Sequence, residues 1–127
     1  MIAADTSTWI AFLGGDSGDD VALLDHALRD RQILMVPAVL TELLSDAKMP
    51  DAIARTLCEL PLIVLSAKHW ELAGKLRARV LAKGRKARLG DSLIAQTCID
   101  REVPLLTRDK DFRAFATSAA LELVIGS

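Results

Sequence analysis

The sequence predicts an α/β fold, a sandwich in which helices cover a mainly parallel sheet. The chain has 127 residues, a length that suits one domain. Hydrophobic residues make up 51% of it, which is enough for one buried core and excludes a disordered chain. Short apolar runs alternate with longer stretches of helical pattern, and this alternation is typical of parallel sheets.

Five short runs are predicted as strands. Several are apolar throughout, as expected of parallel strands that are covered on both faces. Ligands of such sheets bind beyond the carboxyl ends of the strands, so the chemistry is expected there. In chain order the predicted strands are Ile2–Asp5, Ile33–Val36, Leu62–Leu65, Pro104–Thr107 and Leu121–Ile125.

Seven stretches between these strands are predicted as helices. The fifth, for example, places Trp70, Ala73 and Leu76 at helical spacing, and Pro37 suits the first turn of the third. In chain order the predicted helices are Thr6–Leu13, Val21–Arg31, Ala38–Ser45, Asp51–Leu60, Lys68–Lys83, Ser92–Arg101 and a short one over Lys110–Ala116.

The composition narrows the possible classes of protein. There are five aromatic residues and no tyrosine, so modules that stack RNA bases on aromatic rings are not expected. No uncharged run exceeds ten residues, against about twenty for a membrane helix, and Asp5 interrupts any signal peptide. Because Cys58 and Cys98 form no CxxC pair, we expect two free, buried thiols in a cytoplasmic protein with no membrane partner.

Basic residues concentrate between Lys68 and Arg88. That segment contains eight basic residues and one acidic residue, whereas the whole chain has a net charge of −1. Part of it is a loop bracketed by Gly84 and Gly90. The segment is either a surface for a polyanion or a solvated helix face.

Four acidic residues are predicted to meet at the carboxyl edge of the sheet. Asp5 ends the first strand and Asp109 follows the fourth, so both emerge at one edge if these strands are neighbours. Asp91 opens a helix, and Glu42 lies at the margin of an apolar stripe. Helix capping would also explain Asp91 and Asp109, and Glu42 could be a surface acid. Asp5 is harder to explain in that way, because a charge that ends an apolar strand needs a partner.

Together these acids indicate a metal site. Converging carboxylates repel each other, a divalent cation removes the repulsion, and an all-oxygen site selects Mg²⁺ or Mn²⁺. Such an ion binds phosphate oxygens and can produce a hydroxide for phosphodiester hydrolysis, with Ser7 and Thr107 positioning water or phosphate. No phosphate-binding glycine motif competes, and His26 and His69, predicted at the surface, provide no base for a nucleophile.

The sequence resembles the PIN-domain family, and within it the VapC-type toxins of bacterial toxin–antitoxin systems. The resemblance runs nearly end to end. It implies a single PIN domain over residues 1–127, a three-layer α/β/α sandwich around a five-stranded sheet. Four segments carry it in this order: Asp5-Thr6-Ser7, Pro37 to Leu43, Gly90 to Ala95 and Leu105 to Phe112.

The resemblance also implies a function, that of a Mg²⁺- or Mn²⁺-dependent endoribonuclease. Similar toxins form homodimers and are silenced by a cognate antitoxin that occupies the acidic groove. Their catalytic and metal-binding acids correspond here to Asp5, Glu42, Asp91 and Asp109, with Asp111 as a second candidate for the fourth. Their supporting hydroxyl residues correspond to Thr6 or Ser7 and to Thr107.

Because the expected site is acidic, RNA must be attracted by charge elsewhere. The predicted RNA-binding residues are Lys83, Arg85, Lys86 and Arg88, although this loop could instead pack against a second subunit or the antitoxin. The main alternative function is a catalytically inactive PIN-like module that binds RNA or protein. A phosphatase or receiver domain is disfavoured, because Ser7 stands where a phosphatase needs a second acid, and Asp19-Asp20 lies too far downstream for a receiver.

Overall fold

The computed structural model describes residues 1–125, so the last two residues of the predicted domain lie outside the described part. Within it, four parallel strands form one sheet in the order β2-β1-β3-β4. The strands are β1 (Ile2–Ala4), β2 (Ile33–Leu34), β3 (Leu105–Thr107) and β4 (Leu123–Ile125). The central strands β1 and β3 pair directly, with Ala3 opposite Leu105. Their carboxyl ends therefore lie side by side, and the predicted α/β fold with a parallel sheet is confirmed.

Seven α-helices and one 3₁₀ turn connect the strands in residues 1–125. They lie close to the predicted positions, although the sixth begins at Leu89 and so takes Asp91 into its first turn. The predicted short helix over Lys110–Ala116 is a 3₁₀ turn (Lys110–Phe112) that continues into a helix. The helices are α1 (Thr6–Leu13), α2 (Asp19–Arg29), α3 (Pro37–Leu44), α4 (Asp51–Glu59), α5 (His69–Ala82), α6 (Leu89–Arg101) and α7 (Arg113–Ser118).

The predicted strand over Leu62–Leu65 does not form, so the prediction of five strands was wrong. A single bridge joins Met35 to Leu62: the Met35 amide donates to Pro61 O at 2.7 Å, and the Ile63 amide donates to Met35 O at 2.9 Å. The neighbouring strand β2 has only two residues, and Pro61 has no amide hydrogen to extend the ladder. The apolar run therefore follows the sheet edge as a loop.

The core lies between the helices and the central strands. Every residue of β3 is buried, and the largest fully buried side chains are Trp9, Phe112 and Phe115. Cys98 belongs to this core, and burial raises the pKa of its thiol to about 12, so the thiol is unreactive. No helix in the described part of the chain is both long and apolar enough to cross a membrane.

Two predictions about burial were wrong. Cys58 is exposed, because α4 buries Leu57 and turns the next position outward. His69 is 1% exposed and begins α5, and its Nδ1 atom lies 3.7 Å from the carboxylate of Asp100 on α6. His26 lies at the surface as predicted.

Candidate active site

Asp5 lies at the end of β1 and is the N-cap residue of α1. Its carboxylate accepts hydrogen bonds from the Thr8 amide at 3.0 Å, the Ser7 hydroxyl at 2.8 Å and the Thr107 hydroxyl at 2.7 Å. The residue is only 2% exposed, and this burial raises its pKa, while the hydrogen bonds act in the opposite direction. Asp5 is thus a buried carboxylate whose orientation is set by three donors.

Thr107 connects Asp5 to Asp109. While its hydroxyl donates to Asp5, the same oxygen accepts a hydrogen bond from the Asp109 amide at 2.9 Å. The Asp109 carboxylate caps the 3₁₀ turn by accepting from the Asp111 amide at 2.9 Å. The charge of Asp109 also raises the pKa of Asp5, so these two carboxylates are close enough to repel each other.

Asp91 lies in the first turn of α6 and is partly buried. Burial is the largest cause of a rise in its pKa to about 6. The charges of Asp109, Glu42 and Asp5 raise it further, and the charge of Arg88 opposes them. Asp91 therefore lies within electrostatic range of the other three predicted acids, at one edge of the sheet.

Glu42 lies on α3, exposed, and faces the start of α6. Its Oε1 atom accepts a hydrogen bond from the Thr6 hydroxyl at 2.6 Å. Its Oε2 atom lies only 3.3 Å from the position that a Cβ atom would take at residue 90, where the chain has glycine. Gly90 therefore leaves the space in which Glu42 approaches the first turn of α6, next to Asp91.

Asp111 has a different environment from Asp109. Its carboxylate lies 3.5 Å from Lys86 Nζ, and the Asp111 side chain is partly exposed while that of Lys86 is mostly exposed. Asp109, in contrast, raises the pKa values of Asp5 and Asp91. Asp109 is thus the one of the two whose charge acts on both Asp5 and Asp91.

The donor set of the site fits a hard divalent cation, since all of its candidate ligands are oxygen atoms. A carboxylate offers about four acceptor positions, and Asp5 accepts from Ser7, Thr8 and Thr107, with the Ser7 hydroxyl within hydrogen-bond distance of both of its oxygens. Among residues 1–125, no three His, Cys, Asp or Glu side chains converge closely enough to hold an ion. Mg²⁺ usually keeps several of its water molecules and takes only one or two carboxylates, so it does not require three converging side chains.

The basic loop lies beside these acids. The four predicted RNA-binding residues, Lys83, Arg85, Lys86 and Arg88, are all exposed. The ion pair from Lys86 to Asp111 joins the loop to the 3₁₀ turn, and Arg88 is near enough to lower the pKa of Asp91. Positive charge therefore borders the acidic edge.

Sequence reasoning missed an ion pair next to the site. Arg108 donates from Nε and Nη2 to the two carboxylate oxygens of Asp20, each at 2.9 Å. Asp20 is fully buried, and it also accepts a hydrogen bond from the Thr8 hydroxyl at 2.9 Å. Asp20 and Arg108 are 88 residues apart, so no local pattern could have connected them.

The structure defines an α/β domain with acidic side chains beyond the carboxyl ends of its neighbouring strands β1 and β3. The family described as PIN domain matches residues 2–117, and the chain belongs to that family. The chain is 25% identical to Ribonuclease VapC5 of Mycobacterium tuberculosis over 126 residues, covering 94% of this chain and 91% of the relative. These findings confirm the predicted resemblance to PIN-domain proteins of the VapC type.

Solved structures of related proteins have the same fold. VapBC2 from Rickettsia felis, bound to a DNA fragment from its promoter, matches with a TM-score of 0.74 and 25% identity over 98% of both chains. VapBC-5 from Mycobacterium tuberculosis, a member of the VapBC family of toxin-antitoxin systems, matches with a TM-score of 0.71 and 22% identity, over 98% of this chain and 97% of that one.

Proposed function

We propose that this protein is the ribonuclease toxin of a toxin–antitoxin pair, a metal-dependent endoribonuclease of the VapC type. The observation that carries this proposal is the gathering of Asp5, Glu42, Asp91 and Asp109 at one edge of a PIN-domain sheet. The ribonuclease name of the curated relative and the toxin–antitoxin setting of the structural relative support it.

The proposed cofactor is Mg²⁺ or Mn²⁺, bound among Asp5, Asp91, Asp109 and Glu42 as a hydrated ion that takes one or two carboxylates directly and the others through its water molecules. Such an ion supplies an activated water and stabilises the charge that develops on the phosphate. The protein presents the first of these carboxylates in a fixed orientation, since Ser7, Thr8 and Thr107 all donate to Asp5.

Asp91 and Glu42 also have roles in the proposed site. With a pKa of about 6, Asp91 is mainly ionised at neutral pH and takes up a proton when the pH falls below about 6. Glu42 is oriented by the Thr6 hydroxyl, and Gly90 allows its close approach.

RNA is the proposed substrate, and the exposed basic loop is the proposed phosphate contact. Lys86 and Arg88 lie at the border of the acidic edge, so phosphates bound there would lead the chain towards the carboxylates. Contacts of this kind are made to the backbone and carry no base information, so the loop would bind RNA of many sequences.

A cognate antitoxin is the proposed inhibitor, with toxin and antitoxin meeting in the cytoplasm. A groove of about 490 Å³ between α1, α3 and α4 has mainly apolar walls and includes the acids Glu42 and Asp46. Ile10 in this groove is 60% exposed. An antitoxin segment with an apolar face and an Arg directed at the acids would suit it, because guanidinium binds carboxylate bidentately.

A homodimer is part of the proposal as well. Trp70 and Leu89 are 66% and 63% exposed and border the same apolar pocket, between α3, α5 and α6. An exposed apolar surface of this kind is typical of a protein contact. We propose that a second copy of the chain covers it.

The decisive experiment incubates the purified protein with total RNA, with and without Mg²⁺ or Mn²⁺, and maps the new RNA ends. We expect metal-dependent ends with the wild type, none with Asp5→Asn, and wild-type cleavage with the control Asp51→Asn, an exposed acid on α4. Cleavage by Asp5→Asn at the wild-type rate would contradict the site. If the wild type cleaves no RNA either with or without metal, the result would favour the inactive PIN-like module instead.

A further inference from the structure

We propose that Asp20 and Arg108 form a positioning pair that sets the separation of Asp5 and Asp109 for metal binding and cleavage. This inference rests on the proposed function and adds two residues to its machinery. Neither residue is placed in contact with the substrate or the cation. Both act through the groups that hold the carboxylates.

The pair has the geometry of a clamp. Arg108 binds Asp20 with two parallel hydrogen bonds of 2.9 Å, and its Nη2 atom also donates to Ser17 O at 3.1 Å. A bidentate contact fixes direction as well as distance. Asp20 is fully buried and the Arg108 side chain is 30% exposed, so water competes little for these bonds on the Asp20 side.

On one side the clamp reaches Asp5 through α1. The carboxylate of Asp20 accepts the Thr8 hydroxyl at 2.9 Å, and the Thr8 amide donates to Asp5 at 3.0 Å. Thr8 is completely buried in the first turn of α1. Through Thr8, Asp20 therefore holds the first turn of α1, which Asp5 caps.

On the other side the clamp reaches Asp109 through the backbone. Arg108 stands between Thr107, whose hydroxyl binds Asp5, and Asp109 itself. When its guanidinium is fixed against α2, the chain that leaves β3 is fixed as well. Hydrogen bonds thus connect Asp5 to Arg108 through Thr8 and Asp20, and the backbone and the Thr107 hydroxyl connect Arg108 back to Asp5.

Stability alone gives little reason for such a pair. Taking two charges out of water is unfavourable, and apolar side chains of similar volume often serve equally well in a core. What an apolar pair cannot provide is a fixed direction. A clamp beside two carboxylates that repel each other fixes their separation, and the two residues would need a fixed separation in order to hold a cation.

The test replaces Arg108 with Lys, which keeps a positive charge beside Asp20 but cannot make the bidentate contact. The matched control is Arg29→Lys, since Arg29 forms an exposed ion pair with Asp25 on the outer face of α2. Mn²⁺ binding is measured from the electron paramagnetic resonance signal of the free ion, together with the melting temperature and the kcat and KM for RNA cleavage.

We expect Arg108→Lys to weaken Mn²⁺ binding and to lower kcat, each by about tenfold or more, as replacements behind metal ligands do. The KM for RNA and the melting temperature should stay near the wild-type values, and Arg29→Lys should change none of the four quantities. The double variant Asp20→Asn with Arg108→Gln removes both charges together and should show the same loss of Mn²⁺ binding.

Two outcomes would overturn the inference. If Arg108→Lys binds Mn²⁺ and turns over RNA as the wild type does, the pair only neutralises a buried charge. If it loses stability while the folded fraction keeps the wild-type Mn²⁺ affinity, the pair serves folding alone. A wild type that neither binds Mn²⁺ nor cleaves RNA would refute the proposed function first, and this inference with it.

Discussion

Replacing Asp91 with Asn gives a direct test of the acidic site, because it separates the electrostatic repulsion among the acids from the shape of the side chain. Asn has nearly the same volume and removes one negative charge from the first turn of α6. We expect the variant to lose RNA cleavage while the metal-free protein becomes more stable. A side chain that only capped a helix would give the opposite change in stability.

The magnitude follows from the environment of Asp91. Its pKa rises from 3.8 to about 6, which corresponds to about 3 kcal/mol between the ionised and the protonated carboxyl. Since Asp91 is partly exposed, solvent screening reduces this to about 1–2 kcal/mol. Losing a negative charge at a helix N-terminus costs about 0.3–1 kcal/mol. The net gain is about 1 kcal/mol at pH 8, or about 3–5 °C in melting temperature for a domain of this size.

The gain should depend on pH in a defined direction. A carboxyl with a higher pKa in the folded state destabilises the fold once it is ionised, because the folded protein binds its proton more tightly. Below about pH 4 the carboxyl is protonated in both states and the penalty is absent. The penalty grows between about pH 4 and 6 and is complete above that range, so the advantage of Asp91→Asn should follow the same course.

The assay is thermal melting of the metal-free protein at pH 4, 6 and 8, with Asp51→Asn as the control. Asp51 also lies in the first turn of a helix, α4, but at an exposed position. That control should lose stability at pH 8, by the helix-terminus contribution alone. Added Mn²⁺ should stabilise the wild type more than Asp91→Asn. A variant no more stable than Asp51→Asn at pH 8, or an advantage independent of pH, would refute the reasoning.

Three further variants test the surroundings of the site. Gly90→Ala adds a Cβ atom 3.3 Å from Glu42 Oε2, so cleavage should fall about tenfold with little change in melting temperature, as measured by initial rates and thermal denaturation. In a cleavage-dead protein, Arg85→Ala with Lys86→Ala should reduce the log–log salt dependence of RNA binding by about two, and equally for different RNA sequences. An unchanged salt dependence with altered dimer or antitoxin affinity would assign the loop to a protein partner. Thr107→Val removes a hydroxyl donor from a buried carboxylate, which should destabilise the fold by about 1–3 kcal/mol in chemical denaturation and lower cleavage.

The sheet could be predicted where the local pattern determined the structure. The runs that became β1 and β3 are mostly apolar and mostly buried, and the adjacency of β1 and β3 is what brings Asp5 and Asp109 together. The run Leu62–Leu65 is equally apolar, yet it stays a loop. Whether an edge strand forms depends on a partner distant in the sequence, and β2 offers two residues only. The local sequence does not show whether a long enough partner strand is present.

The same limit explains which site residues could be anticipated. Acids that follow strands are expected at a sheet edge, so Asp5 and Asp109 could be singled out from position alone. The pairing of Asp20 with Arg108 could not, because an acid at the start of a helix is explained by the helix dipole. Burial of His69 was missed for a related reason, since its neighbour Asp100 lies on another helix.

The capping and catalytic explanations of these acids turn out to be compatible. Asp5 caps α1 and Asp109 caps the 3₁₀ turn, yet the charge of Asp109 still raises the pKa of Asp5. A carboxylate that caps a helix leaves acceptor positions unused, and backbone amides hold it without adding a counter-charge that would compete with a cation. Capping is therefore a means of holding acids together despite their repulsion. An ion pair in the same place would have neutralised the site, and the pair that the protein does contain, Asp20 with Arg108, is connected to it through Thr8 instead.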